Sequence, residues 1–99
     1  MFILLSYREA VAQNFIVDNE VKDFINREDR DFRVCTSCSG PVLVPLDMAR
    51  AKSSDIEIKV GDNTLFVSIV MARYTRRIHK SMLDQYMWFL ENGLGCELD

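Results

Sequence analysis

The chain has 99 residues, 48% of them hydrophobic and 27% charged, which is the balance of one folded domain spanning residues 1–99 rather than of a disordered chain. A formal charge of −3 and a pI near 5.1 argue against phosphate binding over the whole surface, which needs a net basic protein. The three cysteines are an odd number, which does not suit a closed set of disulfides.

Phe2 to Leu5 is a short unbroken apolar run that reads as a buried strand. It is too short for a signal peptide or a membrane span and no basic residue precedes it, so the expected location is the cytoplasm, with no membrane partner. In that compartment, cysteines read as thiols or metal ligands rather than as a disulfide framework. Ser6 and Glu9 form a capping-box pattern, and Tyr7, Ala10, Val11, Asn14 and Phe15 follow at helical spacing. Phe15-Ile16-Val17 fits a helix end or a strand equally well. Asp18 reads as a second N-cap, with Val21, Phe24 and Ile25 forming one apolar stripe behind it.

Residues 26–33 carry charges of both signs and read as a solvated helix end and loop. Phe32 and Val34 suggest a strand entering Cys35-Thr36-Ser37-Cys38, and Val42-Leu43-Val44, fenced by Pro41 and Pro45, a strand leaving it. Residues 46–54 lack a period and read as a loop or one short helical turn. Ile56, Ile58 and Val60 alternate with polar residues, and Gly61-Asp62-Asn63 supplies a turn, so a hairpin is expected. The return strand, Thr64 to Met71 with a possible extension through Tyr74, is apolar on both faces and reads as central.

A final helix is expected over Met82–Glu91, capped by Ser81 and ended by Gly93 or Gly95. Met82, Leu83, Tyr86, Met87 and Leu90 share one side, with Phe89 at its edge, while Trp88 falls opposite, beside Asp84 and Glu91. The fold expected from these elements is α+β: a mostly antiparallel sheet, two N-terminal helices, and a C-terminal helix packed on one face.

The CxxC turn at Cys35 and Cys38 is the segment whose spacing asks for chemistry beyond folding. Its thiols can converge on a metal, close a small disulfide ring, or sit in a core as small hydrophobes. Cys35 to Gly40 is similar to one knuckle of a zinc ribbon, with small polar residues and a glycine after the second ligand. The resemblance covers six residues and departs from the ribbon in lacking a second CxxC. A closed zinc site would therefore need His79 and Cys96, or a second copy of the chain, to complete Cys35 and Cys38. A thiol redox protein is an alternative, although Ser39-Gly40-Pro41 is a poor start for the helix that lowers a reactive thiol's pKa.

Other catalytic patterns are missing from the sequence. The chain has a single histidine, no glycine-rich phosphate loop and no nucleophile elbow, so an enzyme is the less favoured class. Arg73, Tyr74, Arg76, Arg77 and Lys80 form a basic stretch with an aromatic ring in it, the pattern of an RNA-binding module. The competing expectation is a solvated loop whose arginines pair with the acidic residues of 18–31, and nucleic acid is the less favoured partner. Trp88, on the polar side of its helix, needs a cover, and a homodimer or another protein partner would supply it. The function expected is that of a small cytoplasmic accessory or interaction protein with a CxxC turn, with zinc binding and a homodimer as its attached expectations.

Overall fold

The structure, a computed structural model, describes residues 15–93 and Leu98; the strand expected at Phe2–Leu5 and the helix expected to open at Ser6 lie outside them. In chain order the elements are β1 (Ile16–Val17), α1 (Asn19–Glu28), β2 (Phe32–Ser37), β3 (Gly40–Pro45), β4 (Ile56–Val60), β5 (Asn63–Val67), α2 (Ile69–Tyr74), β6 (Arg77–Ile78) and α3 (Lys80–Asn92). The class is α+β. Four strands form one sheet in the order β3-β2-β5-β4, and β1 and β6 pair separately in parallel.

The sheet is mixed, which corrects the expectation of a mostly antiparallel one. Two antiparallel hairpins, β2–β3 and β4–β5, meet through a parallel pairing of β2 with β5 that runs from Phe32 opposite Leu65 to Val34 opposite Val67. Each hairpin is written into its own turn, whereas their junction depends on two strands buried on both faces finding each other. In the first hairpin Cys38 and Ser39 make the turn, and Gly40 takes a φ of 104°, a conformation side chains disfavour. Ser37 braces it, its Oγ accepting from the Ser39 amide at 3.2 Å and donating to the Gly40 carbonyl at 2.8 Å.

The return strand is shorter than its apolar run suggested. It stops at Val67 because Ser68 caps a helix, its Oγ accepting from the Met71 amide at 3.2 Å. Ile69 to Tyr74 therefore form α2 rather than a continuation of β5, with Met71 and Ala72 turned inward. Of the two readings of residues 46–54, a loop or one short turn, residues 46–49 make a single turn, with the Met48 and Ala49 amides donating to the Pro45 carbonyl.

Cross-strand register puts Pro45, Phe32, Leu65 and Ile58 in one row and Leu43, Val34, Val67 and Ile56 in the next, both on one face of the sheet. Helices α1 and α3 pack on this face. The Phe24 ring of α1 meets Phe32 edge-on at 5.2 Å, and Tyr86 of α3 approaches Phe32 at 6.3 Å. On the opposite face lies Arg33, a charged side chain with only 1% of its surface exposed. Its Nε donates to Asp55 Oδ2 at 2.7 Å and its Nη2 to Oδ1 at 3.0 Å, while the Lys52 amide also donates to Oδ2 at 3.1 Å. This pair ties residues 52–55, which lead into β4, to the sheet.

Both sheet edges are guarded against stray pairing. On β3, Pro41 and Pro45 flank three fully buried residues, and α3 packs against the strand. The outer strand β4 is short and carries exposed Glu57 and Lys59.

Candidate interaction surface

The two cysteines of the CxxC turn part company. Cys35 pairs with Val42 in the β2–β3 ladder and is a fully buried thiol in the core. Cys38 is exposed in the turn and is disulfide-bonded. The pair therefore closes no disulfide ring of its own. His79 sits exposed just before α3, and Cys96 lies outside the described residues. No group of three His, Cys, Asp or Glu side chains able to hold a metal occurs among the described residues.

The basic stretch is distributed over three elements. Arg73 and Tyr74 end α2 and are exposed, Tyr74 at 81%. The guanidinium of Arg76 lies over the Phe15 ring at 5.4 Å. Arg77, in β6, donates from Nε to Asp18 Oδ1 at 3.0 Å, as the competing expectation of pairing with the 18–31 region required. Lys80 opens α3, and its backbone amide donates to Asp18 Oδ2 at 3.2 Å.

Asp18 thus occupies the N-cap position of α1 without capping it through its side chain. Its carboxylate serves the first turn of α3 instead, where the unpaired amides and the helix dipole favour negative charge. The reason is the parallel β1–β6 pairing. The Ile16 amide donates to the Arg76 carbonyl at 2.8 Å and the Asp18 amide to the Ile78 carbonyl at 3.0 Å, which brings Asp18 to the start of α3. The hydrogen bond from Arg77 holds the Asp18 carboxyl below its ordinary value; burial opposes the shift, and the Lys80 amide adds to it. Nothing in the sequence marks this role, because the residues involved are 59 and 62 positions apart.

Helix α3 runs beyond its expected start, from Lys80, with Ser81 inside it and His79 at the cap; it ends at Gly93, whose amide donates to the Phe89 carbonyl at 2.8 Å. Its buried side is Met82, Leu83, Tyr86 and Phe89. Met87 and Leu90, expected inward, are exposed, and Phe89, expected at the edge, is inside. The inward direction is set by Tyr86 meeting Phe24 and Phe32, which turns Met87 away and Phe89 in. Trp88 lies outside as expected, with 52% of its surface exposed and its ring 5.7 Å from that of Phe89. Asp84 and Glu91 are exposed on the same half of the helix.

Compared with protein-family models, with curated proteins and with solved structures, the chain matches none. No described helix is long and apolar enough to cross a membrane. What the fold defines is a small α+β domain whose most unusual surface is the outer half of its last helix.

Proposed function

We propose that the chain is a small accessory protein that works by association, as a homodimer whose contact is anchored by Trp88. The observation that carries this reading is the half-exposed indole on the outer side of α3, with Met87, also exposed, next to it. An indole exposed to this extent leaves roughly 100 Å² of apolar surface in water, and covering it is worth about 2–3 kcal/mol. Aromatic anchors of this kind, rimmed by polar groups, carry a disproportionate share of interface energy. Asp84 and Glu91, both exposed, border the indole on the side toward Met87.

Light scattering on wild-type protein and on Trp88→Ala at micromolar concentration tests the proposal. The expected result is a dimer that Trp88→Ala dissociates while leaving the circular dichroism of the fold intact. A wild type that is monomeric at this concentration, or a dimer indifferent to Trp88→Ala, overturns it.

A further inference from the structure

The chain's exposed apolar side chains and its charges are sorted in a way that the dimer alone does not require. Among the described residues six large hydrophobic side chains are exposed, and five of them lie on α2 and α3: Val70 and Tyr74 on the first, Met87, Trp88 and Leu90 on the second. The charges of the two segments are segregated. Residues 68–80 contain no acidic side chain, and residues 81–93 contain no basic one. Each helix therefore presents an apolar patch with charge of a single sign, and the signs are opposite.

On α2 the geometry is simple. Val70, Arg73 and Tyr74 stand at i, i+3 and i+4, so they share one face, and all three are exposed. Arg73 makes no ion pair among the described residues. Arg76 and Arg77 are already committed, to the Phe15 ring and to Asp18. The cation left to face outward between two apolar groups on this helix is Arg73. On α3, Asp84 and Glu91 are set between Met87 and Trp88 around the helix, at 100° per residue. An arginine flanked by Val70 and Tyr74 is complementary to that arrangement in both charge and polarity.

We propose that α2 of a second copy covers Trp88. In the dimer, Val70, Arg73 and Tyr74 of one copy pack on Met87 and Trp88 of the other, with Arg73 between Asp84 and Glu91. A two-fold axis repeats the contact, so each copy both gives its α2 and receives its partner's. This inference rests on the Trp88-anchored dimer and adds the identity of the surface that meets it. It also gives the basic stretch a use other than phosphate binding, consistent with a chain whose net charge is −3.

The test is a charge exchange read by analytical ultracentrifugation. Arg73→Glu alone, and Asp84→Lys with Glu91→Lys, should each weaken self-association at least about ten-fold, since each places like charges opposite one another. Mixing the two variants should restore a dimer containing one copy of each, because both contacts then join opposite signs. Four results overturn the inference. The first is either variant dimerising as tightly as wild type while Trp88→Ala still dissociates it; the dimer then stands and another surface covers Trp88. The mixture failing to associate, when both variants keep wild-type circular dichroism, rejects the charge pairing. Species growing past the dimer with concentration reject the two-fold arrangement. A monomeric wild type removes the dimer and the inference together, and salt-sensitive binding to mixed RNA that Arg73→Glu abolishes would then return the basic stretch to nucleic acid.

Discussion

Arg33→Met is expected to be among the most damaging single substitutions in the described residues. Arg33 and Asp55 are each 1% exposed and are joined by two charge-assisted hydrogen bonds, at 2.7 and 3.0 Å. Methionine fills much of the arginine's volume, so the loss is electrostatic rather than a cavity. It leaves the Asp55 carboxylate buried with the Lys52 amide as its remaining donor among the contacts described above. Removing one member of a buried pair costs about 3–5 kcal/mol, a large share of the roughly 5–15 kcal/mol that holds a domain folded. In a domain of this size the melting temperature should fall by at least about 12 °C. Urea unfolding checks it through a lower midpoint at an unchanged slope. Exchanging both partners, Arg33→Met with Asp55→Leu, should recover much of the loss, because two buried charges are then removed together. A loss below about 1 kcal/mol for Arg33→Met would refute the reasoning, since that is the size expected of an exposed pair.

Three further outcomes follow from single sites. Asp18 has a folded-state pKa below the unfolded value of 3.8, so it adds stability above that pH, lost as pH falls through the folded pKa. Urea midpoints measured from neutral to strongly acidic pH should fall less steeply for Asp18→Asn than for wild type, and identical acid limbs would contradict the assignment. Gly61 has a φ of 62°, which strains any residue carrying a Cβ, while the exposed Asn26 side chain beside it can shift aside; Gly61→Ala should therefore cost about 1–3 kcal/mol in urea unfolding. Cys35, fully buried, should resist a maleimide in the folded protein and react once urea unfolds it; rapid native labelling would show that the β2–β3 ladder opens there.

The elements that were legible in the sequence are those specified by neighbours. Val21, Phe24 and Ile25 form a stripe within two turns, and the β4–β5 hairpin is set by alternation and Gly61, so both appear where expected. The end of β5 was misread because Leu65 to Met71 is apolar whether extended or helical, and the deciding feature is one hydroxyl, that of Ser68. The inward face of α3 was rotated because helical projection shows which residues cluster but not which edge the rings of Phe24 and Phe32 select. Arg33 was read as part of a solvated charged segment, since its partner Asp55 is 22 positions away. The CxxC spacing was visible, but whether two sulfurs converge depends on the strand geometry around them. Trp88 was legible because one residue on the wrong side of an amphipathic helix needs no tertiary knowledge to notice.

The protein contains a single tryptophan, so its fluorescence reports the proposed contact without interference. If Trp88 is covered by a second copy, diluting the protein through the dissociation range should shift its emission to longer wavelength as the indole returns to water. The midpoint of that shift should coincide with the change in mass seen by ultracentrifugation. An emission spectrum that stays constant while the mass halves would place the dimer contact elsewhere and contradict the account.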